Sequence, residues 1–253
     1  MVAPVRAMRR VPAFVLLVLA ACGGGDRSVA SRAVTPLDPA ATGTITGTVG
    51  FDGPVPAMAM LPLGGEPICS AQHQGPVLAG DALVHDGRVE NAFVYIKEGL
   101  GTRVFTVPGA AITIDQKGCL YRPRVAGAQL GQPITFVNSD ALLHNVHGSP
   151  AASSPWNFGM GVQGSRRTIT VEKPEVMIQL RCDVHPWMRA YLGVVDHPYF
   201  AVTGPDGRFT FPNVPAGTYT LATWHERFGA QEAKTTVTAK ETQDVSFHYA
   251  PTP

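Results

Sequence analysis

The most constraining feature of the chain is the stretch Cys182 to Met188, in which a thiol, an imidazole and a thioether follow one another three residues apart. Over residues 176–182, which lead into it, apolar side chains alternate with Met177, Gln179 and Arg181. Successive side chains of a β-strand point to opposite faces, so Cys182 ends the apolar face. The pattern predicts a strand that delivers a buried thiol to a loop able to fold around one metal ion.

A second imidazole comes from upstream. His144 lies in the polar stretch 138–147, directly after the apolar run 133–137. Two imidazoles and a thiolate in one plane, with a weak axial thioether, are the ligand set of an electron-transfer copper site. The sequence therefore predicts copper as the cofactor, held by His144, Cys182, His185 and Met188.

Three other interpretations of the same residues are open. Cys182 and His185 could be a structural pair in a core, without a ligand. Zinc is a second candidate, although it prefers thiolate, imidazole and carboxylate to a thioether. A cysteine nucleophile is the third, but its histidine normally comes from a distant segment, and no oxyanion motif lies nearby.

The two segments 138–147 and 182–188 resemble the ligand segments of the cupredoxins, the small blue copper proteins. The resemblance covers about residues 107–197 and implies a Greek-key β-sandwich with one copper ion. It makes the four residues named above the copper ligands, and it makes Asn145 a backbone brace that donates toward the thiolate. His147 has a counterpart in the family that does not bind metal, so it is not counted as a ligand.

The rest of the chain also predicts β-structure. It has 27 Gly and 22 Pro among 253 residues, with many short runs rich in Thr and Val, and no long stretch has helical periodicity. Short strands with frequent turns are expected from such a pattern. We therefore predict an all-β fold throughout.

Segments on both sides of the copper segment resemble a second module. Residues 43–51 and 89–97 read as strands, and residues 200–211 as a hairpin that turns at Pro205-Asp206-Gly207. With a second hairpin from residue 213, they resemble the carboxypeptidase-regulatory-like, or starch-binding-like, β-sandwich. We predict that residues 43–106 and 198–250 form this sandwich, with the cupredoxin segment 107–197 inserted in it or fused to it edge to edge.

The N-terminal residues have the pattern of a targeting signal. Three arginines precede an apolar run, residues 11–21, that is too short to cross a bilayer comfortably. The run ends at Leu19-Ala20-Ala21-Cys22, which resembles the lipobox of bacterial lipoproteins. The resemblance implies a signal peptide, residues 1–21, and a lipidated Cys22; an ordinary secretory signal is the alternative.

Residues 22–42 are rich in Gly, Ser, Ala and Pro and predict a flexible tether to the membrane. Removal of the three leader arginines changes 20 basic against 19 acidic residues to 17 against 19, a net charge of −2. This balance argues against nucleic acid as a partner. The expected location is the cell envelope, with the folded part in the periplasm or on the outer surface.

Of the four cysteines, Cys22 is the predicted lipidation site and Cys182 a predicted copper ligand. Cys69 and Cys119 remain without an assigned role. Exported chains enter an oxidising compartment in which such thiols normally pair. We predict a disulfide between them, with one alternative: Cys69 lies near His73 and could make an accessory metal contact.

The predicted function is a one-electron carrier at the bacterial cell envelope, and not an enzyme, because no acid–base pair or nucleotide motif is visible. The resemblance implies a c-type haem protein or a dehydrogenase as redox partner. The alternative is a non-redox copper carrier, or a carbohydrate-binding module in which Tyr219 and Trp224 could form the sugar-binding aromatic pair.

Overall fold

The structure is a computed structural model that describes residues 1–3 and 33–251. It contains one short helix, α1 (Pro67–Ser70), and two 3-10 turns, Pro39–Ala41 and Leu63–Gly65. The strands in chain order are β1 (Thr42–Phe51), β2 (Val84–His85), β3 (Arg88–Val89), β4 (Phe93–Glu98), β5 (Ile112–Gln116), β6 (Tyr121–Arg122), β7 (Val125–Gln129), β8 (Ile134–Asn138), β9 (His144–Ser149), β10 (Trp156–Met160), β11 (Arg166–Ile169), β12 (Glu175–Arg181), β13 (Arg189–Val195), β14 (Phe200–Val202), β15 (Arg208–Pro215), β16 (Gly217–His225), β17 (Gly229–Val237), β18 (Thr242–Asp244) and β19 (Phe247–Tyr249).

Strands β5 to β13 form two sheets, which we call the central sandwich. One sheet has the order β10-β9-β12-β13-β7 and the other the order β11-β8-β5-β6. Their facing side chains make one core that includes Ile114, Phe136, Ile178 and Leu192, all fully buried. This is the part of the chain in which the sequence predicts the copper segment.

Strands β1 to β4 and β14 to β19 form the flanking sandwich. One sheet contains β15-β1-β3-β2, with β18 and β19 also paired to β1, and the other has the order β14-β4-β16-β17. Strand β1 is antiparallel to β15, with Ile45 opposite Phe211, and parallel to β18 and β19. The chain therefore leaves this sandwich after β4 and returns to it at β14.

This topology confirms the predicted fold class, an all-β chain in which one β-sandwich is inserted in another. Strand β1 pairs with three strands from residues 200–250, so the two predicted pieces of the flanking module share one sheet. The exact boundaries at 43–106, 107–197 and 198–250 stay a prediction.

The two sandwiches meet across a second apolar cluster, which includes Phe93, Val125 and Val195. Gly127 of β7 and Gly193 of β13 lie opposite each other in the sheet. A Cβ atom at Gly127 would lie 2.6 Å from the ring of Phe200, and one at Gly193 would lie 2.6 Å from the ring of Phe93. The absence of side chains at these two positions admits the aromatic rings of the flanking sandwich.

An ion pair also joins the two sandwiches. The guanidinium of Arg124, the residue before β7, donates to both carboxylate oxygens of Glu226, which lies between β16 and β17. Their side chains are 17% and 8% exposed, so the pair is largely removed from water. Breaking such a pair leaves an unpaired buried charge, which favours a fixed arrangement of the two sandwiches.

Residues 52–83, between β1 and β2, form what we call the covering segment. It contains α1 and little other regular structure, and its Leu63 and Cys69 belong to the core of the central sandwich. In the structure Cys69 is joined to Cys119 by a disulfide bond, with a Cα–Cα distance of 5.5 Å. The segment is thus held against the inserted domain although its sequence neighbours belong to the flanking sandwich.

Within the described residues, no helix has the length and apolar character needed to cross a membrane. Residues 4–21 of the predicted signal peptide, the lipidation site Cys22 and residues 23–32 of the predicted tether lie outside the described residues.

Candidate metal centre

The loop between β12 and β13 turns three sulfur and nitrogen side chains inward. Buried Ile178 and Leu180 alternate with exposed neighbours along β12, and Cys182 continues their face at 2% exposure. The Cys182 N–H donates to the Met188 carbonyl oxygen at 3.2 Å, and the Met188 N–H donates to the His185 carbonyl oxygen at 2.9 Å. These bonds close the loop, and His185 and Met188 are 3% and 0% exposed.

His144 reaches the same point from the first residue of β9. Its Nδ1 atom is 3.0 Å from Nδ1 of His185, and Cys182 Sγ is 3.8 Å from that same His185 atom. One ligand atom from each of the three residues lies within 4.8 Å of the other two. The structure therefore brings together the imidazoles and the thiol that the sequence singles out, and buries Met188 in the same core.

The turn before His144 is built by a buried amide. The Asn138 side-chain NH₂ donates to the carbonyl oxygens of Leu142 and Met160 at 2.9 and 2.7 Å, and its Oδ1 accepts from the Asp140 N–H at 3.0 Å. Asn138 is fully buried, so these bonds satisfy it without water. They fix the path of the chain from β8 to His144.

Asp140 is a site residue that the sequence interpretation missed. Its Oδ2 atom is 2.8 Å from His144 Nε2, and its carboxylate accepts the backbone N–H groups of Gly118 and Cys119 at 2.9 and 2.8 Å. Burial opposes ionisation of this carboxyl, but the bonds from Cys119, Gly118 and His144 prevail and lower its pKa. The ionised carboxylate holds Nε2 of the ring, which leaves Nδ1 facing His185. Its position four residues before His144 in a polar turn was the available signal.

Asn145 lies beside the Cys182 thiol. Its backbone N–H points at Cys182 Sγ, with the nitrogen 3.5 Å from the sulfur. Its side chain accepts the Asp183 N–H and donates to Asn157 Oδ1 at 2.6 Å. Asn145 thus ties the His144 strand to the Cys182 loop on both its backbone and its side chain.

His147 is engaged elsewhere. Its Nδ1 atom lies 3.0 Å from Asp183 Oδ2, and Arg181 also reaches this carboxylate, at 3.1 Å. The bond from His147, with that from Asn157, lowers the pKa of Asp183 to about 2. This half-exposed cluster accounts for His147 without a metal.

The disulfide and an indole cover the edge of His185. Both sulfur atoms of the Cys69–Cys119 bond lie within 4.8 Å of a His185 ring nitrogen. Trp187 donates its indole N–H to the Cys119 carbonyl oxygen at 3.1 Å, and its ring centroid is 5.2 Å from that of His185. Burial, and then the neighbouring His144, lowers the pKa of His185, which favours the neutral imidazole that metal binding requires.

His73 does not lie with the candidate ligands. Its Nε2 atom pairs with the Gly118 carbonyl oxygen at 2.8 Å, and the Cys69 sulfur is bonded to Cys119 in the disulfide. The alternative of an accessory metal contact by Cys69 and His73 therefore finds no support in the geometry.

In the aromatic pair proposed for a sugar site, Tyr219 is buried and Trp224 is partly buried. Tyr219 is 2% exposed and donates its hydroxyl to the Pro215 carbonyl oxygen at 2.7 Å. The ring of Trp224 packs against Tyr191 of the central sandwich, with centroids 4.9 Å apart. Both rings therefore serve packing.

The residues present fit a copper ion. Thiolate and thioether are soft donors suited to Cu(I), and imidazole suits copper in general. Cys182 is a free, buried thiol. The carboxylate beside His144, Asp140, is occupied by three hydrogen bonds, so the carboxylate that zinc accepts readily is not offered.

The solved structures similar to the chain include three copper proteins. One is a purple cupredoxin from Nitrosopumilus maritimus, 19% identical over 33% of this chain and 98% of that chain, with a TM-score of 0.29. Another is a mutant of amicyanin in its Cu(I) form, 22% identical over 35% of this chain and 85% of that chain, with a TM-score of 0.30. A third is a Cu-containing nitrite reductase from Thermus scotoductus, 23% identical over 39% of this chain, with a TM-score of 0.33; the chain spans 25% of that enzyme's length.

A model of the carboxypeptidase regulatory-like domain family matches residues 192–250. The two resemblances that the sequence indicated, to cupredoxins and to this module, are confirmed. No curated protein matches the chain. The lipoprotein resemblance stays a prediction.

Proposed function

We propose that the chain binds one copper ion through His144, Cys182, His185 and Met188 and carries single electrons. The observation that supports this most strongly is the convergence of two imidazole nitrogens and one thiol within 4.8 Å in a buried core. A bound copper ion would supply a one-electron couple between Cu(I) and Cu(II).

The protein's own residues would keep this couple reversible. Asp140 fixes the orientation of His144, and the Asn145 N–H offers a hydrogen bond to the thiolate. The disulfide and Trp187 exclude water from His185. A site with oriented ligands and a dry surround changes little on electron transfer, and its hydrogen bonds and burial tune the potential.

We further propose that the protein is not an enzyme in its own right. In this proposal it is exported, lipidated at Cys22, and held at the bacterial cell envelope, with the folded part in the periplasm or on the outer surface. Its partner would be a c-type haem protein or a dehydrogenase. These statements rest on the N-terminal sequence and on the site chemistry.

Voltammetry of the copper-loaded full chain and two variants tests the function. Met188→Leu removes a weak donor but keeps apolar bulk, so Cu(II) loses a contact and the reduction potential should rise. Met188→Gln adds a harder oxygen donor, so the potential should fall. A tenfold change in the relative affinity for the two oxidation states moves a one-electron potential by about 59 mV.

Met177→Leu is the matched control, because Met177 packs between the two sandwiches and not in the site. It should leave the potential unchanged. Slow exchange with loss of copper on reduction would instead indicate a storage or delivery protein and would reject electron transfer.

A further inference from the structure

The four proposed ligands differ in what covers them. His144 and Met188 are fully buried, and His185 lies under the disulfide and Trp187. Cys182 is also buried, but the residue borders an open cavity of about 320 Å³ that Arg181, Asp183 and Arg189 line as well. The surface next to Cys182 therefore carries two guanidinium groups and one carboxylate.

This cavity continues into two others through shared side chains. Arg189 also lines a cavity of about 300 Å³ with Arg122, and Arg122 lines a third, of about 260 Å³, with Lys117. We call the surface formed by Lys117, Arg122, Arg181 and Arg189 the basic groove. It extends from the cavity at Cys182 to the cavity at Gln72 and His73 of the covering segment.

Two carboxylates, Asp183 and Glu90, also line these cavities, but three of the four cations of the basic groove pair with neither. Arg181 pairs with Asp183 at 3.1 Å, but within the described part of the chain no carboxylate oxygen lies within 4.0 Å of the side-chain nitrogens of Lys117, Arg122 or Arg189. All three side chains belong to exposed residues. The whole chain is nearly neutral, with 20 basic and 19 acidic residues, so the positive surface arises from placement and not from composition.

We propose that the basic groove is the docking surface for a protein partner with an acidic face, and that electrons enter and leave beside Cys182. This inference rests on the proposed function. Opposite charges around a redox site steer the encounter and fix its orientation, and they raise association rates by about 10 to 1,000-fold at low salt. A lipid headgroup surface would match the charge but would gain nothing from the thiol at the end of the groove.

The groove is tested first without metal. Hexacyanochromate(III), an inert paramagnetic trianion, is added to the metal-free full chain. The broadening of backbone amide signals is then measured by NMR. Broadening should centre on Lys117, Arg122 and Arg189. Broadening that is uniform, or centred on the flanking sandwich, would overturn the proposal.

Electron transfer to an acidic c-type haem protein is the second measurement. The double variant Arg122→Glu with Arg189→Glu should slow the second-order rate at least about tenfold at low ionic strength, and added salt should shrink the difference. Arg208→Glu with Lys234→Glu makes the same kind of change at exposed positions of the flanking sandwich and should leave the rate within about twofold, because both positions lie outside the groove.

The outcomes separate two failures. No electron exchange by the wild-type protein with any partner would reject the proposed function. The metal-free titration would still test whether the basic groove binds anions. Exchange that is equally fast in the groove variant would reject the docking surface alone. Capture on anionic phosphatidylglycerol vesicles that requires Arg122 and Arg189, with no effect of these residues on the rate, would also reject it in favour of a membrane surface.

Discussion

Each of the two sandwiches buries a pair of histidines, and the pairs have different surroundings. In the flanking sandwich, His225 Nδ1 accepts the Arg227 N–H at 3.2 Å; His197, in the loop from β13 to β14, packs against this sandwich, with Nε2 paired to the Ile96 carbonyl oxygen at 2.8 Å. In the central sandwich, the Nδ1 atoms of His144 and His185 face each other, and that of His185 also faces the Cys182 thiol. Burial is common to both pairs, and only the second concentrates donor atoms at one point.

The comparison shows how a buried histidine used for packing differs from one that we propose as a ligand. His225 stacks on Phe228 with ring centroids 4.3 Å apart, so one face of its ring is used for packing and its Nδ1 accepts a backbone N–H. His144 uses Nε2 on Asp140 and keeps Nδ1 for the site. The partner of the second nitrogen therefore indicates what the first is free to do.

The largest effect expected from this difference is acid destabilisation through His225. Burial lowers the pKa of His225 from 6.5 to about 4, so between these values the unfolded chain binds the proton and the folded chain does not. The free energy of unfolding of the metal-free protein should therefore fall as the pH falls from 6.5 to 4, by about 3 kcal/mol from this group. Denaturant unfolding at several pH values measures it.

His225→Gln keeps an acceptor and does not titrate, so its free energy of unfolding should lose this part of the pH dependence. His197, whose pKa burial also lowers, is unaltered in the variant and contributes in the same direction. If the variant and the wild-type protein lost the same free energy between these pH values, the assignment of a neutral buried His225 would be wrong.

A smaller effect is expected at the partner of His144. Asp140→Asn keeps the shape but removes the charge that orients the ring, and a change of this kind at a ligand's partner typically lowers metal affinity by about 10 to 100-fold. Competition with a chelator for copper measures the affinity. Ser139→Ala alters the neighbouring side chain, which bonds to Asp115, and serves as the control; equal affinities of wild type and Asp140→Asn would contradict the role of Asp140.

Local pattern predicted a large part of the structure. Alternation along β12 placed Cys182 on the buried face, and the turn Pro205-Asp206-Gly207 was recognised from residues that favour it; Gly207 has a φ of +65°. The pairing of β1 with strands more than 150 residues later followed from recognising one module in two pieces. Each of these inferences depended on a short-range signal.

The remaining features depend on long-range contacts that leave no such signal. Asp140 receives its hydrogen bonds from Gly118 and Cys119, on a different loop. The covering segment has no periodic pattern, because its position is set by the disulfide and by a few buried side chains. The basic groove likewise combines Lys117 with Arg189, which the sequence separates and the fold brings to adjoining cavities.

The most direct measurement of the difference between the two histidine pairs is the visible spectrum of the full chain loaded with Cu(II). The wild-type protein should bind one copper per chain and show an intense band, because charge transfer from the Cys182 thiolate requires the sulfur bonded to copper. Cys182→Ala should abolish the band, and His225→Gln should preserve it. A wild-type protein without the band, or a Cys182→Ala variant that retains it, would contradict the assignment of the site.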